Sequence, residues 1–265
     1  MEIIVDLVMW TKNAGDTLEP VLRRIEDVIP NENINQRILV DYRSEDGTTD
    51  IAKKYGWTVY EAKEMGIGSA ANEALRHVKT KFFISVEHDV LLAKNWWEKI
   101  PLYMSNPTVA VAQGVRVATD PILRAFDMIR VNSKEPYRCI DQNIYNTRVI
   151  RSLGGFPNVP IATDLALQEN IFRSGFKWVT DKTIVSLHIR QGVWREGKHT
   201  FEMARRNLRM DEIMVKKHFR ALILSPFYGL KLAKKEKMPL LIPAIFYLRI
   251  MKLRGCIYAN AINKP

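Results

Sequence analysis

The stretch VDYRSEDGTTDIAKKYG, residues 40–56, decides how the chain is read. An apolar run ends on Asp41, a polar loop follows, and Thr48-Thr49-Asp50 opens a helix that ends near Gly56. A carboxylate at the C-terminal edge of a parallel strand stands where open α/β sheets bind ligands. There it can accept hydrogen bonds from a base N–H or from ribose hydroxyls. Taken alone, the same residues read equally well as a loop followed by a helix cap.

The segments on either side favour the ligand-binding reading. IIVDLVMW (3–10), RILVDY (37–42), WTVYEA (57–62) and KFFISVEHD (81–89) are strand patterns. Between them lie helical patterns over Thr17–Val28, capped by Asp16, and over Ser69–His77. Strands that are apolar throughout suit a parallel sheet covered by helices on both faces. The alternation predicts an α/β, Rossmann-like nucleotide-binding fold with a mostly parallel central sheet. Further on, VAVAQGVRV (109–117) reads as a strand, Gly154-Gly155-Phe156-Pro157 as a turn and Leu165–Arg173 as a helix. KWVTDKTIVSLH (177–188) is extended, and His199–His218 is a charged helix. The stretch IRQGVWREGKH (189–199) reads as a basic, glycine-containing loop. Such a loop can close over a pyrophosphate with Arg190, Arg195 and Lys198, while Trp194 packs on a sugar or acceptor.

Composition sets limits. With 265 residues, 47% hydrophobic and 26% charged, the chain buries a full core and is not a disordered polypeptide. Cys139 and Cys256 are far apart and suit a reducing compartment better than a disulfide framework. MEIIVDLVMW lacks the layout of a signal peptide, so a cytoplasmic location is expected. The net charge of +11 is uneven: Phe219–Pro265 holds nine Lys or Arg and one acid, Glu236. In that segment ALILSPFYGL (221–230) and MPLLIPAIFYL (238–248) flank the basic KLAKKEK (231–237). Each apolar piece is well short of the roughly 20 residues that span a bilayer. They read as interfacial helices on a cytoplasmic membrane face, or else as a helical pair packed on the core. Nucleic acid is disfavoured as a partner, because the positive charge is interleaved with apolar runs. The expected division is therefore residues 1–218, with halves 1–115 and 116–218, and a basic helical extension 219–265.

Six pieces in a fixed order resemble family 2 glycosyltransferases, whose fold is called GT-A. Residues 40–56 are similar to the family's VDDGSTDGT…IAKKYG stretch, and Asn13 to the Asn closing its first-strand motif. GIGSAANEAL (66–75) resembles its ArNxG helix, and KFFISVEHD the strand ending in its DxD motif. NTRVIRSLGGFPN (146–158) and ATDLALQENIFRSGFKW (162–178) are similar to its GGF and EDxxL segments. His188 falls where many relatives carry a metal-binding histidine. The likeness covers about residues 1–200. It implies an inverting transferase that moves a sugar from a UDP- or GDP-sugar to a lipid-linked or cell-surface glycan acceptor. It also implies a donor site made by Thr11, Asn13, Asp41, Arg43, Ser44, Gly68, Asn72, Glu87, His88 and Arg195. Asp89, Glu87 and His188 would hold Mn²⁺ or Mg²⁺, and Asp164 would be the general base.

The implied chemistry is coherent. A leaving nucleoside diphosphate develops negative charge that a divalent cation stabilises, and carboxylate oxygens suit Mg²⁺ or Mn²⁺. Glu87 and Asp89, two apart at a strand end, are expected to project from one edge. Departures from the pattern are also plain. Tyr42 and Arg43 replace Asp and Gly, Ala71 replaces the Arg of the ArN motif, Glu87 replaces the first Asp of DxD, and Thr163 replaces the Glu of ED. Arg43 is a candidate to compensate for Ala71. These changes keep open a catalytically impaired, membrane-attached binding protein. A sugar nucleotidyltransferase fits less well, since TKNAGDTLEP (11–20) is not a Gly-rich basic triphosphate loop. A homodimer is left open.

Overall fold

A computed structural model describes residues 3–159, 162–190, 192–206 and 211–262. The first half follows the alternation expected: β1 (Val5–Thr11), α1 (Gly15–Val28), β2 (Ile34–Asp41), α2 (Thr48–Lys54), β3 (Thr58–Glu61), α3 (Ile67–His77) and β4 (Phe82–Val86). The chain continues through β5 (Val90–Leu91), α4 (Trp96–Lys99), β6 (Val109–Ala118), α5 (Pro121–Val131), β7 (Gln142–Asn146) and α6 (Thr147–Ser152). It then runs through α7 (Thr163–Arg173), β8 (Lys177–His188), α8 (Gly192–Arg205), α9 (Glu212–Ile223), α10 (Ser225–Glu236) and α11 (Leu241–Ile262).

One eight-stranded sheet has the order β3-β2-β1-β4-β7-β6-β8-β5. The strands β3, β2, β1 and β4 pair in parallel, with the apolar runs of β1, β4 and the second half of β2 buried. Along β1, Val5, Leu7 and Met9 enter one hydrophobic cluster and Val8 and Trp10 the other, so both faces are covered. α1 presents Leu18, Val21, Leu22 and Ile25 to the first cluster at helical spacing. Each such buried aliphatic side chain contributes about 1.5–3 kcal/mol.

The second half of the sheet adds antiparallel strands to the mostly parallel sheet expected. β7 is antiparallel to both β4 and β6, and β5 is antiparallel to β8. β7, with sequence QNIYN, has no apolar run to announce it. Asn143 in its middle is buried and hydrogen-bonded: its amide donates to Cys139 O at 2.7 Å and to Tyr145 Oη at 2.8 Å.

The chain divides into two compact units, Met1–Val117 with Arg130–Ile189, and Ala118–Ile129 with Arg190–Pro265. This is not the expected boundary at residue 219, because the helix at Gly192 packs with the C-terminal helices. The stretch expected as a basic loop over 189–199 is helical from Gly192, and Gln191 lies outside the described residues. The glycine that suggested a loop, Gly197, sits inside α8, where a Cβ would come within 2.2 Å of the Tyr247 ring. It permits close helix packing on α11 rather than a turn. The single helix expected over His199–His218 is two helices, α8 and α9, with residues 207–210 outside the described set. MPLLIPAIFYL leads into the 22-residue α11, which is longer than the short piece expected. Among the described residues, no helix is long and apolar enough to cross a membrane.

Candidate active site

The first unit assembles its polar residues at the C-terminal ends of β1, β2 and β4. Asp41, buried at the end of β2, accepts from both groups of Ser44: the N–H at 2.7 Å and the hydroxyl at 2.6 Å. Ser44 Oγ in turn accepts from the Asn13 N–H at 2.7 Å, and Asn13 Oδ1 accepts from the Glu45 N–H at 3.2 Å. Asn13 holds φ at 50°, a conformation Asn tolerates better than most residues. Three expected residues, Asn13, Asp41 and Ser44, are thus brought into one network. Thr11 lies at the same edge, with its hydroxyl oxygen buried and without a hydrogen-bond partner.

A second set of contacts, not anticipated from sequence, fastens the same two loops. Asp46 accepts from the Gly15 N–H at 2.8 Å and from the Thr48 hydroxyl, while Thr48 Oγ1 accepts from the Ala14 N–H at 2.8 Å. Gly15 is required here, because a Cβ would lie 2.6 Å from Asp46 O. The loops after β1 and β2 are therefore held rigid by side chains, as a preformed binding edge requires. Nothing local in the sequence marks a contact between residues so far apart.

Glu87-His88-Asp89 lies just beyond β4, in a turn. Glu87 and Asp89 thus stand one residue and three residues past the end of β4 rather than within the strand. Asp89 meets His188, whose Nε2 is 3.0 Å from Asp89 Oδ2. The other carboxylate oxygen, Asp89 Oδ1, is buried and has no hydrogen-bond partner among the described residues. Burial alone would raise the Asp89 pKa, but the hydrogen bond and charge of His188 hold it below its ordinary value. Burial, with the Asp141 and Asp89 carboxylates nearby, pushes Glu87 up to about 8. His88 takes a separate place, with Nδ1 3.2 Å from Thr17 Oγ1 on α1.

Sequence reasoning missed the residue that organises this corner, Arg116 on β6. Its guanidinium pairs with the buried Asp141 and also meets His188 Nδ1. Burial disfavours its charge, but Asp141 and Glu87 keep the proton on it. The Arg116 guanidinium thus packs against the Nδ1 edge of the imidazole whose Nε2 faces Asp89. The only sequence signal was an Arg interrupting an apolar strand.

Other expected residues have different surroundings. Arg43, φ 49°, turns its guanidinium to Glu61 at 2.7 Å and forms a surface ion pair. The Asn72 amide brackets Phe156, donating to its O and accepting from its N–H, both at 2.7 Å. A Cβ on Gly68 would come within 2.3 Å of Pro157 O. Gly68 and Asn72, expected in the donor site, are thus committed to seating the Gly154–Pro157 turn. Asp164, half-buried in the first turn of α7, has its Oδ1 accepting from the Leu165 N–H at 2.9 Å. No hydrogen bond or ion pair among the described residues links it to Asp89 or His188. Arg195 is exposed on α8 in the second unit, where Trp194 stacks on Tyr247 with centroids 4.8 Å apart.

A carboxylate with one uncommitted buried oxygen beside an imidazole is an O,N pair suited to Mn²⁺. Among the described residues, no three His, Cys, Asp or Glu side chains form a complete cage. The pair supplies two of the ligands such a cation takes.

A family model described as Glycosyl transferase family 2 matches residues 6–157, more than half of the chain. No curated protein matches the chain. Among solved structures, a mannosyltransferase from Pyrobaculum calidifontis, in complex with GDP-Man and Mn²⁺, is similar with TM-score 0.64 and 19% identity, covering 94% of this chain and 74% of that one. S. aureus TarS 1–349, in complex with UDP-GlcNAc, is similar at TM-score 0.55 and 13% identity over 97% and 90% of the two chains. Glucosyl-3-phosphoglycerate synthase from Mycobacterium tuberculosis is similar at 0.53 and 12%, over 77% and 78%. The fold of the chain is the GT-A arrangement of nucleotide-sugar transferases.

Proposed function

The chain belongs to glycosyl transferase family 2 and is a glycosyltransferase, and from that premise we propose that it is an inverting, metal-dependent enzyme. Its donor is a UDP- or GDP-sugar and its acceptor a lipid-linked or cell-surface glycan at the cytoplasmic face of a membrane. The observation that carries this reading is the meeting of Asp89 and His188 beside an unpartnered Asp89 oxygen, at the edge where Asn13, Asp41 and Ser44 are already locked together. The solved relatives bound to GDP-Man with Mn²⁺ and to UDP-GlcNAc support it.

Asp89 and His188 would hold Mn²⁺ or Mg²⁺, whose charge offsets that developing on the diphosphate. Thr11, Asn13, Asp41 and Ser44 would fix the nucleoside. They do so at little entropic cost, because their loops are tied by hydrogen bonds before the donor arrives. Glu87, beside Asp89, would face the ribose. Asp164 would accept the proton of the acceptor hydroxyl as that oxygen forms its bond to the anomeric carbon. The bond to the diphosphate oxygen breaks on the opposite side, and the electron pair leaves with the diphosphate, which inverts the carbon.

The test is a panel of UDP- and GDP-sugars with and without Mn²⁺, read by thermal shift and by release of nucleoside diphosphate. A metal-dependent shift with at least one donor is expected, with release lost in Asp164→Asn while the shift remains. No shift with any donor would contradict the reading. A shift without release from the unaltered chain would instead favour a donor-binding protein, for which the Ala71 and Arg43 departures speak.

A further inference from the structure

The second unit treats its two apolar segments differently. α11 turns Leu241, Ala244, Leu253, Cys256 and Ala259 inward, where Leu232, Ala233 and Ala204 meet them. Gly255 lets α11 approach α8 so closely that a Cβ would come within 2.5 Å of Phe201 O. The corner between α9 and α10 has no such cover. Phe219, Ile223, Leu224, Phe227 and Tyr228 are between 46% and 72% exposed, and α9 buries none of its residues. Phe219 and Ile223 lie one turn apart on α9, as Phe227 and Leu230 do on α10. Scattered exposed apolar residues are ordinary, but five within ten positions form a patch that asks for a partner.

The charge around the patch says which partner. Lys216, Lys217 and Arg220 lie on α9 and Lys231, Lys234 and Lys235 on α10, against two acids, Glu212 and Glu236. Burial lowers the proton affinity of His218 and Lys252, and Arg249 and Lys217 lower it further, so this corner crowds cations together. Phenyl and aliphatic side chains beside uncompensated cations complement an interface that is apolar within and anionic at its surface.

We propose that the α9–α10 corner is a docking surface for an anionic phospholipid bilayer. Phe219, Ile223, Leu224, Phe227 and Tyr228 enter the boundary between headgroups and acyl chains, with Lys216, Arg220, Lys231 and Lys234 on lipid phosphates. α11 serves as the scaffold that presents them. This deepens the membrane attachment proposed above and rests on that reading for its setting.

The test uses the full chain and sedimentation with vesicles of phosphatidylcholine, alone or containing phosphatidylglycerol. Binding at least 10-fold stronger to the phosphatidylglycerol vesicles is expected, with a loss of 10-fold or more in Phe219→Glu/Phe227→Glu at an unchanged melting temperature. In a second measurement, an environment-sensitive dye on Phe227→Cys shifts its emission to the blue on those vesicles; the native Cys139 and Cys256 are buried. Equal sedimentation of the double variant and the unaltered chain would overturn the proposal. So would an unshifted dye, a self-associated state that the double variant dissolves without any vesicle binding, or preference for an RNA over the vesicles. Donor-induced thermal shift is read on the same proteins. In the unaltered chain, absent vesicle binding with the shift present sinks only the docking surface, and vesicle binding without the shift sinks only the donor reading.

Discussion

His188 Nε2 lies 3.0 Å from Asp89 Oδ2, although 99 residues separate them. The contact is set by the backbone: β5 and β8 pair so that Val90 faces His188, and the Ile189 N–H donates to Asp89 O at 2.7 Å. Strand pairing therefore brings the two side chains together, and several measurable consequences depend on that meeting.

The first concerns metal affinity. His188→Ala removes the nitrogen from the pair and Asp89→Asn removes the charge, so each is expected to weaken Mn²⁺ binding by at least about 10-fold. Titration calorimetry of Mn²⁺ in the presence of a nucleoside diphosphate reads this. Unchanged affinity in both variants would show that the cation is held elsewhere.

The second concerns Arg116. It pairs with the buried Asp141 and meets His188, so Arg116→Met leaves a buried carboxylate uncompensated. The expected loss of stability is about 3–5 kcal/mol by urea unfolding, and Arg116→Met combined with Asp141→Leu should recover much of it. A loss below about 1 kcal/mol for the single variant would mean that the pair is solvated.

A third consequence lies away from the site. Asp6 is fully buried in β1, and its carboxylate accepts from the Asn35 amide at 2.7 Å, the Gln36 amide at 2.9 Å and the backbone of Lys79 and Thr80. Asp6→Ala strands these donors and should cost about 2–4 kcal/mol. Thermal unfolding that matches the unaltered chain would contradict it.

Gly155 is equally specific. Its φ is 87°, and a Cβ would fall 2.3 Å from Asn72 Oδ1. Gly155→Ala must both strain the backbone and displace the Asn72 clamp, with an expected loss of at least about 1–3 kcal/mol. A tolerated substitution, judged by an unchanged urea midpoint, would show that the turn is not held as described.

What was legible in the sequence follows from what is local. β1, β4 and the second half of β2 are apolar runs and the helices between them keep a regular face, so much of the parallel half of the sheet could be read directly. β7 could not, because Asn143 in the middle of QNIYN is buried and hydrogen-bonded, a property of its partners and not of its letters. In the same way Asp41 and Ser44, three apart, announced their turn, whereas Asp46 with Gly15 and Arg116 with His188 are pairings that only the folded chain creates. Gly197 misled because a glycine that admits the Tyr247 ring and a glycine that makes a turn look alike in a sequence.

The most direct measurement is a crystal of the full chain soaked with Mn²⁺ and a nucleoside diphosphate, with anomalous diffraction collected to locate the metal. A single manganese peak in contact with the Asp89 carboxylate, His188 Nε2 and diphosphate oxygens is expected. A nucleotide bound with no manganese at Asp89, or manganese bound at a place that excludes His188, would contradict the account.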